Sequence, residues 1–410
     1  MSLIVQKYGG SSVANPGRIQ KVAERVYRYK NKGHSLVVVV SALGDTTDEL
    51  LLLAEKITKN PSRRELDMLM STGEQISVAL LAMALHELEC DAISFTGAQV
   101  GIITDSSYTR ARIIDINTQR IQEELRKKKV VIVAGFQGVN FRHEITTLGR
   151  GGSDLTAVAL AKALSAESCE IYTDVDGIFT TDPRLVKEAR KIDRISYEEM
   201  LEMASSGAQV MQSRSIEMAG KFNIPLHVRS SFTSQEGTWI VKEDKSMENV
   251  LIRGVSLSKN EAKLTLNGVP NRPGVAAAIF RSLADSGIHV DMIIQNIGKS
   301  SDTDISFTVP SSDSQHAVHT LKAVAKKVGF KDISRDPNIA KVSVVGIGMR
   351  SHAGVAASMF EALGKHRINI EMISTSEIKI SCVVKKQDGE KAVRILHEEF
   401  RLGKHKRNGR

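Results

Sequence analysis

Residues 271–296 (NRPGVAAAIFRSLADSGIHVDMIIQN) align without gaps to residues 351–376 (SHAGVAASMFEALGKHRINIEMISTS), a repeat of period 80 in which nine of 26 positions are identical. The identities include Gly274/Gly354, Phe280/Phe360, Leu283/Leu363 and Met292/Met372. Such a repeat constrains the fold strongly, because each copy must be the same supersecondary unit. Each reads as strand, glycine-led helix, strand, strand, helix, so that a closing strand makes it a βαββαβ module. The second copy cannot close itself: after its last helix, at 389–400, comes only RLGKHKRNGR. The first can use residues 331–335. An unassigned apolar stretch, 250–258, lies upstream of the first copy and is expected to supply the missing strand of the second. The two modules are then interleaved rather than strung in series.

The preceding 245 residues follow a different rhythm. A strand at 2–7 leads into Gly9-Gly10-Ser11-Ser12, and a helix is expected from Pro16, since proline favours the first helical position. Residues 35–41 contain four consecutive valines and read as a buried strand. Leu66, Leu69, Met70, Ile76, Leu80 and Met83 have helical spacing over 64–88. Further strands are expected at 92–95, 130–134 and 170–173, with helices at 117–127 and 154–164. This alternation predicts an α/β fold with a mostly parallel central sheet and flanking helices. The expected domains are 1–245, a polar linker plus strand at 246–262, and modules at 263–337 and 338–410, the last ending in a basic tail.

Length and charge narrow the function classes. At 410 residues the chain exceeds what one core usually serves, and 41% hydrophobic with 25% charged residues is an ordinary soluble α/β composition. The longest apolar runs are strand length, and a strand begins within two residues of the start, so a cytoplasmic protein without membrane attachment or signal peptide is expected. Cys90, Cys169 and Cys382 are far apart, which favours inert buried thiols over a disulfide framework or zinc site. The formal net charge of +9 raises nucleic acid as a partner. Charges of both signs are interspersed, however, and no aromatic–basic stacking module is present, so none is expected. A basic surface suits small anionic substrates equally well.

Three glycine-rich turns fall at expected strand ends, where open α/β sheets gather ligands. Lys7-Tyr8-Gly9-Gly10-Ser11-Ser12 offers backbone N–H groups and a lysine to an anion, although it is not a Walker loop and such a turn can be purely structural. Gly149-Arg150-Gly151-Gly152-Ser153-Asp154 runs into a helix that Ser153 or Asp154 is placed to cap. A cap does not require the arginine, which suits bidentate recognition of carboxylate or phosphate. Thr173-Asp174-Val175-Asp176-Gly177 and Thr181-Asp182-Pro183-Arg184 are either Asp-Gly and Asp-Pro turns or the border of a nucleotide. Between them lie Ser41, Thr47 and Glu74, the last amid helical apolar residues where an acid must be exposed or paired.

Taken together, the ordered set KYGGSSVA, VVVSALGDTTDEL, STGEQIS, TLGRGGSD and YTDVDGIFTTDPR, with VRSSF at 228–232, closely resembles the aspartokinases of the amino-acid kinase superfamily. These also carry two C-terminal ACT modules, which match the repeat in type, position and number. The resemblance implies transfer of the ATP γ-phosphoryl group to the β-carboxylate of L-aspartate, the first step towards lysine, threonine and methionine. It implies that Lys7, with Gly9, Gly10 and Ser11, stabilises the phosphoryl group and that Arg150 clamps a substrate carboxylate. Glu74 would face the substrate ammonium, Ser41, Thr47 and Ser153 would line the aspartate pocket, and Asp154 would orient the site. Thr173, Asp174, Asp176, Asp182, Arg184 and Gln209 would surround ATP, with Mg²⁺ held largely by the phosphates. Gln209 stands where many relatives have a lysine.

The ACT modules imply feedback by lysine, threonine or both, with Asp291, Gln295, Asn369, Ile370, Ser376 and Glu377 as effector contacts. Asn271 and Ala353 depart from the Asp and Pro of close relatives at these turns. An internal start at Met247 would give an ACT-only subunit and an α2β2 assembly in place of a homo-oligomer. The rival readings are another amino-acid kinase and a catalytically weak amino-acid sensor.

Overall fold

The computed structural model describes residues 2–208, 210–244, 250–297, 302–352 and 354–403. Gln209, Met247, Ala353 and the basic tail at 404–410 lie outside the described residues. The chain divides into two compact units. The first comprises Met1–Ile178, Lys191–Ala204 and Gln209–Met247; the second comprises Phe179–Arg190, Ser205–Ala208 and Glu248–Arg410.

The first unit is built on an eight-stranded sheet in the order Arg194–Ser196, Thr238–Val241, Leu226–Ser230, Ser168–Thr173, Leu3–Tyr8, Ser35–Val40, Val130–Ala134, Ala92–Phe95. Only the pairing of Leu226–Ser230 with Thr238–Val241 is antiparallel. Successive strand residues face opposite sides of the sheet. Tyr8, Leu36, Val38, Val40 and Ile132 pack on the helices Pro16–Asn31 and Arg63–Glu87. Lys7 faces the other side, where helix Gly152–Ala163 carries its partner Asp154. Helix Arg63–Glu87 is long and apolar enough to cross a membrane by length and composition, yet it lies on this sheet with Asp67 and Glu74 fully buried.

Two features of this unit are absent from the sequence reading. VVVSALGDTTDEL continues past its turn into a helix, Thr46–Ile57. A second, four-stranded sheet runs in the order Ile113–Ile116, Ile102–Thr104, Gln137–Val139, Ile145–Thr147. Its strands are too short to show a period. The helix at 152 also corrects an expectation: neither Ser153 nor Asp154 caps it. Gly151 occupies the N-cap position at φ +70°, a left-handed conformation that glycine adopts without penalty, and both residues fall in the first turn. Asp154 is thereby released to pair with Lys7.

The second unit holds the repeat. One sheet runs Ile293–Ile297, Asp302–Pro310, Glu261–Pro270, Asp332–Asp336, with helices Val275–Asp285 and Ser314–Val328. The other runs Gly254–Ser258, Ile339–Val345, Lys379–Lys385, Met372–Thr375, with helices Val355–Lys365 and Gly389–Glu399. Gly254–Ser258 pairs antiparallel with Ile339–Val345, from Gly254 opposite Val345 to Ser258 opposite Lys341. The upstream strand therefore completes the second module, and the modules are interleaved. Between them, Met292 and Met372, which are equivalent in the repeat, share a small core with Ile339 and Val383. Reciprocal ion pairs flank it: Lys263 with Glu371, and the buried Lys341 with Asp291 and, at 2.7 Å, Glu261. Residues 179–190 belong to this unit rather than to the first: Leu185 and Val186 join the core of the second module, and Thr180 Oγ1 lies 3.0 Å from His397 Nε2.

Candidate active site

The first unit gathers its polar residues at the carboxyl ends of Leu3–Tyr8, Ser35–Val40 and Ser168–Thr173. Lys7 Nζ lies 2.6 Å from Asp154 Oδ1, with both side chains about nine-tenths buried. Its ammonium also stands over Gly9, 3.5 Å from where a Cβ would sit there. Gly9 N donates to Tyr172 O at 3.3 Å, tying this turn to the strand that ends at Thr173. The glycine at position 10 has another purpose. A Cβ there would lie 2.7 Å from Gly44 O and 3.0 Å from Ala42 O, so only glycine lets the 42–44 loop approach. Gly44 N closes the contact by donating to Gly10 O at 3.1 Å.

That loop positions Glu74. Ala42 N donates to Glu74 Oε1 at 3.2 Å, while Oε2 is buried without a hydrogen-bond partner. Burial pushes the Glu74 carboxyl up to about 8. An isolated buried carboxylate is costly, and a bound cation would relieve that cost. Ser41 and Thr47 border the same loop, half-buried. Arg150, in contrast, is 95% exposed, its nearest acid being Asp48 at 3.8 Å. Its backbone is held, since Gln212 Nε2 donates to Arg150 O at 2.6 Å. Ser153 is buried in the first turn of the helix behind it.

On the other side of Lys7, Thr173 Oγ1 donates to Asp174 Oδ1 at 3.1 Å and Thr233 Oγ1 donates to Asp176 Oδ1 at 2.6 Å. Ser231 N donates to Thr173 O at 2.8 Å, and Arg25 donates to the carbonyls of Ser230, Ser231 and Thr233. VRSSF thus forms one wall of the 173–176 turn, with Ser231 Oγ 2.5 Å from Ser12 Oγ. Asp182 and Arg184 do not join this group within the first unit: they lie in the second, paired to each other at 2.7 Å. Three residues that escaped the sequence reading shape the site: Asp67, Phe136 and Gln212. Phe136 has φ +67° and donates its N–H to Thr156 Oγ1 at 3.1 Å. A backbone conformation of that kind carries no residue-type signal outside glycine.

The predicted effector residues lie within or beside the corresponding strands Ile293–Ile297 and Met372–Thr375 of the two modules. Asp291 and Gln295 lie just before and within Ile293–Ile297; Asn369 and Ile370 precede Met372–Thr375 and Ser376 and Glu377 follow it. Asp291 is already engaged by Lys341. Ser376 and Glu377 line a cleft of about 470 Å³ with Arg350, His352 and Thr375, and Arg350 Nε lies 3.3 Å from Glu377 Oε2.

Comparison with known proteins decides what this arrangement belongs to. The amino acid kinase family profile matches residues 2–230, and the ACT domain profile matches 265–324 and 342–400. Aspartate kinase of Pseudomonas putida is 52% identical over 410 residues, covering 100% of both chains. The chain belongs to the aspartokinases. The aspartokinase of Mycobacterium tuberculosis is 51% identical over 408 residues, covering 98% of this chain and 97% of the relative. Among solved structures, E. coli aspartokinase III in complex with aspartate and ADP superposes with a TM-score of 0.82 at 28% identity, covering 97% of this chain and 99% of that one. An aspartokinase is a phosphotransferase with a carboxyl group as acceptor, and the sequence-based expectation of that class stands.

Proposed function

We propose that the first unit transfers the ATP γ-phosphoryl group to the β-carboxylate of L-aspartate, giving 4-phospho-L-aspartate. The observation that carries the reading is the meeting of two unlike groups of side chains at the carboxyl ends of these central strands. A lysine and a glycine turn suit phosphate, and a buried carboxylate short of a cation together with an exposed guanidinium suits an amino acid. The β-carboxylate is already a competent nucleophile, so no general base is required. Catalysis consists of positioning two anions and neutralising the charge between them. Lys7 supplies a cation, the Gly9–Gly10 turn lets the backbone approach the phosphate closely, and the N-terminal end of helix Gly152–Ala163 supplies an oriented dipole. Asp154 holds the Lys7 ammonium in place. Glu74 takes the substrate ammonium, Arg150 its α-carboxylate, and Ser41, Thr47 and Ser153 line the pocket.

Thr173, Asp174 and Asp176 border the nucleotide; Asp182, Arg184 and Gln209 are assigned to it by motif alone. Among the described residues no cluster of three or more His, Cys, Asp or Glu side chains forms a metal cage. Mg²⁺ is proposed to be carried chiefly by the ATP phosphates, where it would offset their charge. The test is hydroxylamine trapping of aspartyl phosphate, which must require both ATP and L-aspartate. Product from glutamate but not aspartate would refute the assignment.

The ACT modules are proposed to bind lysine, threonine or both, with the Ser376–Glu377 cleft and the Asp291 region as contacts. A lysine complex of E. coli aspartokinase III, 28% identical with a TM-score of 0.75, supports lysine. Activity unchanged by either amino acid, alone or together, would remove this part. An ACT-only subunit from Met247 is proposed on the internal methionine; native enzyme giving one full-length band would exclude it.

A further inference from the structure

We propose that Asp67, on no motif and in no assigned role, is a positioning residue that sets where Arg150 meets the substrate. Asp67 is fully buried. Its carboxylate accepts from Thr109 N at 3.1 and 2.9 Å, from Thr147 N at 3.0 Å and from Thr147 Oγ1 at 2.6 Å. No cation is among these partners. All the donors belong to two segments that converge beside Gly149 and Arg150. Ala111 N donates to Thr147 O at 2.9 Å, joining the segments directly. Arg214 then bridges them, donating to Leu148 O at 3.0 Å and Ala111 O at 3.3 Å. Thr109 itself sits at φ +68°, a conformation a β-branched residue adopts only when its surroundings impose it. Those surroundings include the Asp67 carboxylate.

Spacing explains why this matters for substrate. Asp67 and Glu74 are seven residues apart on helix Arg63–Glu87, two turns and about 10 Å along one face. Glu74 anchors one end of the amino acid directly. Asp67 anchors the strand Ile145–Thr147, whose continuation through Leu148 and Gly149 carries the guanidinium for the other end. One rigid helix thus gauges the separation between ammonium and carboxylate contacts. The inference rests on the assignment of Arg150 to a substrate carboxylate.

Asp67→Asn places an amide NH₂ against backbone donors and breaks part of the clamp. In the full-length enzyme the KM for aspartate is expected to rise about ten-fold, while the KM for ATP stays within about two-fold. Thr147→Val, which deletes a single donor at nearly constant volume, is expected to raise the aspartate KM about three-fold; this variant decides the matter if Asp67→Asn does not fold. Thr147→Ser keeps both donors and is expected to restore the wild-type value. The decisive comparison is with Arg150→Ala. If Asp67 acts through Arg150, its substitution adds nothing to the KM in that background. Additive effects, or equal rises in both KM values, overturn the positioning role. An unchanged aspartate KM in Arg150→Ala alone overturns the Arg150 assignment instead, whatever Asp67→Asn does.

Discussion

On one side of the strand ends, Lys7 and Asp154 form a buried ion pair at 2.6 Å. On the other, Glu74 has burial without a cation, and Arg150 has a cation at 95% exposure with its nearest acid 3.8 Å away. The end proposed for phosphate has its charges paired before any ligand arrives, and the end proposed for the amino acid does not. Phosphoryl transfer explains the contrast: charge builds up at the transferring group, where donors act best if already oriented. An amino acid has only to be recognised, and a strained carboxylate gains by meeting an ammonium.

Substitutions can break this contrast. Lys7→Ala is expected to have the largest effect, cutting kcat about a thousand-fold, because it removes a phosphate-side donor and leaves Asp154 facing the nucleotide. Steady-state rates at saturating ATP check it, and a fall of less than ten-fold would show the phosphate end to be less essential than its geometry implies. Glu74→Gln is expected to act on the aspartate KM, raising it about thirty-fold with a smaller change in kcat, by loss of a charge-assisted contact.

Acidity sharpens the comparison. With its value near 8, Glu74 is protonated in the free protein at neutral pH, yet an ammonium needs the carboxylate. The aspartate KM should therefore fall as pH rises towards 8, and Glu74→Gln should flatten that dependence. Stability runs the other way. The folded value lies above the ordinary 4.5, so the native state holds the extra proton between about 4.5 and 8 and loses stability as pH rises through that window. Thermal melts from pH 5 to 9 should show wild type losing more than Glu74→Gln; parallel curves would mean Glu74 is not strained. The smallest effect is expected for Gly10→Ala, whose Cβ, 2.7 Å from Gly44 O, forces the backbone of the 42–44 loop to shift. A melting temperature lowered by about 3–8 °C, with both KM values raised modestly, would fit one overpacked contact.

Much of this was legible before any coordinates. The four valines of Ser35–Val40 are buried on both faces of the sheet, as their continuous apolar run implies. The repeat exposed not only two modules but also the shortage of one strand, and Gly254–Ser258 fills it. Lys7, Glu74, Arg150 and Asp154 stand out because glycine turns and a charge in an apolar helix are local signals, while the roles proposed for them come from the family resemblance. The unread parts depend on distance in sequence. Asp67 looks like any helical aspartate until Thr109 and Thr147 fold onto it. Residues 179–190 looked continuous with the strand before them, but Leu185 and Val186 join an apolar core whose other members run from Leu251 to Leu402. Ser153 and Asp154 resembled caps because composition does not reveal that Gly151 has taken that place.

The strand at Gly254–Ser258 also limits how this chain can be divided or recombined. A break anywhere between residues 259 and 338 would separate the second module from its own edge and leave one side of Ile339–Val345 open to pairing with foreign strands. A break shortly upstream of Gly254 keeps every strand of both sheets together, although it parts the second core from Leu185 and Val186, and Met247 lies seven residues before Gly254. The regulatory half is thus heritable only as a pair: duplication, fusion or separate translation can pass on both modules together, but not either one alone.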